Sequence, residues 1–137
     1  MGEPVLTVTW TDDVSSPLGR GTLLRVVYES LAMKYRMVND MVCRISQRPT
    51  RSVHIVGGGC RNAMLNQFTA DSLGIPVYAG PEEATAVGNG MVQALGLGRI
   101  RSMAEAMPLI RQAFAVKEYR PQDAASWQTA YRKFQAL

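Results

Sequence analysis

Strands alternating with helices in an α/β layer are what this sequence predicts, and three observations predict it. Ser52 to Phe68 opens with a short β-branched run, Val53-His54-Ile55-Val56, and turns at three consecutive glycines, Gly57-Gly58-Gly59. It then passes through Asn62 into a segment where Met64, Leu65 and Phe68 recur at helical spacing. Ile75-Pro76-Val77-Tyr78-Ala79 reads as a second short strand closed by a Gly80-Pro81 turn. Around both, runs with a period of three to four residues supply helices against which a sheet can bury a face.

Taken in order, residues 4–10 (Pro4 to Trp10) read as a strand or extended segment, and Thr11 to Pro17 as a polar loop. From Leu18 to Gln47 the apolar residues Leu24, Val27, Leu31, Tyr35, Val38, Val42 and Ile45 recur every three or four positions. This predicts one long amphipathic helix stopped by Pro49. A second apolar set, Leu23, Val26, Ala32, Met33, Met37 and Met41, widens the stripe, so cover on more than one side is expected. After the glycine turn a helix runs from Asn62 to Leu73 and closes at Gly74, a residue suited to the left-handed conformation of a helix end.

Glu82 and Glu83 favour the positive end of the next helix dipole, and that helix, Glu83 to Leu95, is ended by Gly96 and Gly98. Its Ala84, Gly88 and Gly90 are small residues at close helical spacing, which predicts that another helix crosses there. Ser102 with Glu105 has the spacing of a capping box for a helix to Phe114. A last helix, Pro121 to Ala136, places Trp127, Tyr131 and Phe134 on one side.

The 137 residues suit a single domain, and a 47% apolar fraction suffices for a core. No run of about 18 apolar residues occurs, so no helix is expected to span a membrane. No basic region followed by an apolar stretch opens the chain, and a cytoplasmic location is expected. Cys43 and Cys60 lack metal-ligand spacing and read as free thiols. The net charge of +4 comes from singly scattered basic residues without interleaved aromatics, which argues against a nucleic-acid partner. His54 reads as a structural histidine on its strand, and Asp12 and Asp13 as surface carboxylates.

A helix that opens after a glycine turn aims its unpaired N–H groups past the strand end, which suits a phosphate or the polar edge of a nucleotide. Tight packing between strand and helix accounts for such a turn equally well. The standard phosphate signatures do not decide, since the Lys-Ser/Thr of a P-loop and the G-x-G-x-x-G spacing are both missing.

The run VHIVGGGCRNAMLNQFTADSLGIPVYAGPEEATAVGNGMVQALGLG, preceded by RGTLLRVVYESLAMKYR, resembles the C-terminal half of the FGGY carbohydrate kinases, most closely their rhamnulokinase branch. The likeness covers Leu18 to Phe134. The glycine turn, Asn62, Gln67, Ala70-Asp71, Gly74-Ile75-Pro76-Val77 and Glu83-Ala84 fall in family order. The resemblance implies the second, ribonuclease-H-like lobe of the actin, sugar kinase and heat-shock chaperone superfamily. That lobe is incomplete and spans residues 18–137, with residues 1–17 as a separate extended or loop segment.

It further implies phosphoryl transfer from ATP, with Mg2+, to a ketose such as L-rhamnulose, in a cleft between two lobes. Nucleotide contact falls by resemblance on Gly57, Gly58, Gly59 and Asn62, with Gly58 approaching phosphate and adenosine by backbone and Asn62 beside the base or ribose. The helix Glu83 to Leu95 crosses its counterpart in the other half. No counterpart of the first phosphate loop or of the general base is present, so no catalytic residue and no metal ligand is assigned. Sugar contacts are expected in the absent half, and the isolated chain is expected to be inactive.

A non-catalytic interaction module that keeps the kinase lobe is the alternative reading. A lone half-enzyme leaves its long helix uncovered, so a homo-oligomer is expected, a dimer first, with Met33, Met37 and Met41 helping that face to repack.

Overall fold

The computed structural model describes residues 17–136. The extended segment at residues 4–10, the loop from Thr11 and the carboxylates Asp12 and Asp13 lie outside the described residues, while Pro17 opens the first helix, where its missing N–H costs nothing. The elements run α1 (Pro17–Ser46), β1 (Val53–Ile55), a 3-10 turn (Gly57–Arg61), α2 (Ala63–Leu73), β2 (Val77–Ala79), α3 (Ala84–Gly96), α4 (Met103–Ala113), β3 (Lys117–Tyr119) and α5 (Ala124–Gln135).

β1 and β2 pair in parallel with α2 as their crossover, and β3 pairs antiparallel with the far side of β2. Among the described residues β1 is therefore an edge strand. β3 was not foreseen: Lys117-Glu118-Tyr119 is short and carries two charges, and only its Tyr119 is buried. Pro76 stands just outside β2, where it needs no N–H and its carbonyl accepts from Val53 N at 3.0 Å.

α2 organises the core because residues two apart on a helix project about 200° apart. On one side Phe68 meets Ala32 and Met33 of α1 and Trp127, Ala130 and Tyr131 of α5. On the other, Ala70 packs on Val77, Ala79 and Tyr119 of the sheet. The aromatic side expected of the last helix is borne out, with Trp127 and Tyr131 buried and Phe134 packed against them. Both ends of α2 are capped: Asn62 Oδ1 accepts from Leu65 N at 3.0 Å, and Gly74 adopts φ 69° and donates to Ala70 O. Asp123 caps α5 by accepting from Ser126 N.

Polar contacts lock α1 across α2 and α5. Arg36 donates to Ser72 O at 2.9 Å and to Gln128 Oε1, and its guanidinium lies 4.1 Å over the Tyr131 ring. Tyr131 donates to Asp40 Oδ2 at 2.9 Å; burial first, then this bond, pushes its pKa above the ordinary tyrosine value.

α1 requires the main correction. Its expected core stripe, Leu24, Val27, Leu31, Tyr35, Val38, Val42 and Ile45, is exposed throughout, reaching 86% at Ile45. The core is instead met by Ala32 and Met33, with Met37 packed against them, from the second set. Leu23 and Met41 of that set are exposed. Cover on more than one side is thus absent among the described residues.

α3 shows the same deficit: it has no buried residue, and a Cβ on Gly88, Gly90 or Gly96 would meet nothing within 4 Å. Among the described residues no helix crosses it at its small residues. The capping box of α4 is replaced by a different bond, since Glu105 Oε2 accepts from Arg101 N at 2.6 Å and Ser102 makes no side-chain cap bond. His54 is exposed and stacks on Tyr78 at 5.2 Å, so its role on the strand is a surface contact.

Candidate functional site

The glycine turn is built by the strand before it and pinned by the turn beside it. Ile55 accepts from Gly80 N at 2.8 Å, and Gly57 N donates to Pro81 O at 3.1 Å, which ties the 3-10 turn to the Gly80-Pro81 corner after β2. Arg61, at the end of the 3-10 turn, donates through Nε to Glu82 Oε2 at 2.6 Å. This bond and the charge of Arg61 hold the Glu82 carboxyl below the usual carboxylate range, and Glu82 raises the Arg61 guanidinium in return. The ion pair is exposed, and nothing in the sequence signals a pairing across twenty-one positions.

The three glycines have different structural reasons. Gly57 adopts φ +74°, a left-handed conformation that side chains rarely take. A Cβ on Gly59 would make ordinary contact with Ile55 Cγ2 at 3.5 Å. Gly58 has neither restriction: its φ is not positive, and a Cβ there would meet nothing within 4 Å. Tight packing accounts for none of the glycine at position 58.

Asn62 follows at the start of α2, and its Oδ1 is already engaged by Leu65 N, which leaves the Nδ2 amide for a ligand. The four expected nucleotide residues are thus brought to one exposed corner, at the strand end and the opening of an eleven-residue helix. Behind the corner, an open apolar groove of about 720 Å3 runs between α1, β1 and α2, lined by Tyr35, Val38, Val42, Ile55, Leu65 and Leu73. Asn66, fully buried at its margin, donates to Cys60 O at 2.9 Å while its Oδ1 has no partner.

Among the described residues no group of three or more His, Cys, Asp or Glu side chains converges to hold a metal. Cys43 and Cys60 are free and partly buried, as expected. No described helix is long and apolar enough to cross a membrane.

With the strand, glycine turn and helix in place, the comparisons with known proteins have a structural meaning. The model of the FGGY family of carbohydrate kinases, C-terminal domain, matches residues 8–97, and the chain belongs to that family. Rhamnulokinase of Bacteroides thetaiotaomicron is 48% identical over 118 residues, 86% of this chain and 24% of the relative. Rhamnulokinase of Bacillus subtilis is 39% identical over 107 residues, 78% of this chain and 22% of the relative.

The crystal structure of xylulose kinase from Rhodospirillum rubrum superimposes with a TM-score of 0.65 at 28% identity, over 86% of this chain and 24% of that one. The fold is accordingly that of the ribonuclease-H-like C-terminal lobe, present in part. The chain spans about a quarter of the length of the relatives it matches.

Proposed function

We propose that this chain forms the nucleotide side of an ATP-dependent sugar kinase that transfers a phosphoryl group to a ketose such as L-rhamnulose. Gly57, Gly58, Gly59 and Asn62 lie against the nucleotide. The observation that carries this reading is Gly58, a glycine with an unrestricted backbone and open space where its Cβ would be. An absent side chain lets a ligand reach the backbone, and the N–H groups of the turn and of α2 favour phosphate oxygens.

Phosphoryl transfer depends mainly on positioning and charge stabilisation, and this chain contributes positioning of the nucleotide. The described residues offer no metal cage, so the Mg2+ the family suggests would arrive on the nucleotide phosphates and be completed by groups outside them. The likeness to rhamnulokinases favours rhamnulose as acceptor. With no general base assigned in this chain, the isolated chain is expected to be inactive.

Calorimetric titration with ADP tests the site. Gly58→Val places a branched side chain where the ligand lies and is expected to weaken binding at least tenfold. Asn62→Ala, which removes one polar contact, weakens it less. Equal affinities for Gly58→Val and the unsubstituted chain, both folded, would leave the turn a purely structural corner and favour a non-catalytic module.

A further inference from the structure

The glycine turn is held from the interior by a side chain of the helix that follows it. Asn66, in the first turn of α2, is wholly buried, and its Nδ2 donates to Cys60 O at 2.9 Å. Cys60 is itself anchored, since its side chain packs against the sheet cluster of Ala70, Val77, Ala79 and Tyr119. At the other end of the turn Gly57 N donates to Pro81 O at 3.1 Å. Gly58 and Gly59 are thus strung between two fixed points. Glycine has the widest backbone freedom of any residue, so a run of glycines keeps one course only where its ends are held. The bond from Asn62 N to Gly59 O at 3.2 Å is local to the turn, whereas Asn66 ties the turn to a buried position of α2.

The acceptor end of the same amide has no such use: Oδ1 is buried and without a partner. A buried polar atom left unpaired gives up its hydration without return, so an apolar residue of the same shape would serve the packing of α2 about as well. The use of the amide lies in its bond to the turn. Ser72, on the same helix, also carries a buried oxygen without a partner, Oγ, and that side chain makes no bond to the turn.

We propose that Asn66 is a positioning residue for the nucleotide. By holding Cys60 O it sets the course of the backbone through Gly58 and Gly59, so that the ligand meets a turn already ordered. Ordering a flexible segment during binding costs affinity, and a bond made before the ligand arrives removes that cost. The inference rests on the glycine corner being the nucleotide side of a kinase, and it assigns a role to a side chain that acts through Cys60 and not by touching the ligand.

Asn66→Leu keeps the branched shape and removes the donor. It relieves the unpaired Oδ1 while depriving Cys60 O of its partner, so the urea midpoint is expected to change little. ADP affinity in calorimetric titration is expected to fall about fivefold, the scale of one hydrogen bond. Backbone order parameters at Gly58 and Gly59 in the ADP-free chain are expected to fall from about 0.85 toward about 0.6. Ser72→Ala, which removes the other unpartnered oxygen, is expected to leave both readouts unchanged. Asn66→Ala supplies the same two readouts should Asn66→Leu fail to fold.

Unchanged ADP affinity in the folded variant would overturn the proposal and leave the nucleotide reading intact. A fall in affinity matched by a lowered urea midpoint would also overturn it, as the mark of a merely structural residue. Order parameters at Gly58 and Gly59 that do not change would overturn it whatever ADP does. An unsubstituted chain that takes up no ADP would overturn the nucleotide reading and the positioning role together, and that failure is told apart because it is seen before any substitution is made.

Discussion

Gly58 and Gly80 occupy neighbouring corners for opposite reasons. Gly80 adopts φ +123°, and a Cβ there would come within 2.9 Å of Ala115 O, a backbone atom that cannot move aside cheaply. Gly80→Ala should therefore destabilise the chain by about 1–3 kcal/mol in urea unfolding. Gly58→Ala should stay within about 0.5 kcal/mol of the unsubstituted chain. Both the glycine run and Asn62 were legible from their order, but the division of labour among them was not, because φ and free space are set by what the turn is pinned to. Asn62 shows the limit well: its cap on Leu65 N is local and readable, yet that the cap commits Oδ1 and leaves only the Nδ2 amide over is seen in the structure alone.

The Arg61–Glu82 pair gives the corner a pH signature. Glu82 has a folded-state pKa below its unfolded value, so its contribution is present above about pH 4.3, the ordinary glutamate value, and is lost as pH falls through the lowered folded value. Glu82→Gln should flatten the acid limb of the stability profile over that window and leave stability at pH 7 little changed, as for an exposed ion pair. Thermal melts between pH 3 and 7 check this.

For the elements, periodicity located the helices well and their buried faces poorly. Seven apolar residues at helical spacing on α1 look the same whether they meet the chain's own core or another polypeptide, and here they meet neither within the described residues. The face that does enter the core is interrupted by Glu29 and Arg36, whose charges disguised it; buried Glu29 is paired with Arg25 at 2.7 Å. β3 escaped notice because three residues carry no period, and its partner is forty residues away.

Two predictions belong at this scale. Gly88→Ala fills open space in an exposed helix and should stabilise the isolated chain by up to about 1 kcal/mol in thermal unfolding. Tyr131→Phe, which leaves Asp40 without its donor, should cost on the order of 1 kcal/mol. Since Tyr131 has a raised folded pKa, its contribution is present below about pH 10 and fades as pH rises through the raised value, so the cost should shrink in alkali.

For the whole molecule, an α/β layer of three strands and five helices among the described residues presents one finished corner and two unfinished faces. The corner holds the glycine turn, and the faces are those of α1 and α3. This distribution fits a part of an FGGY kinase C-terminal lobe, and the nucleotide reading proposed above adds an expectation to it. Purified chain should accordingly show no ATP-dependent phosphorylation of L-rhamnulose above a no-protein control.

The most direct measurement is NMR shift mapping of the isotope-labelled chain during titration with ADP. Saturable shifts should centre on the amides of Gly57, Gly58, Gly59 and Asn62 and spread into the first turn of α2, and they should vanish in Gly58→Val. Saturable shifts centred elsewhere, or an unperturbed corner at millimolar ADP, would contradict the placement of the nucleotide at the glycine turn.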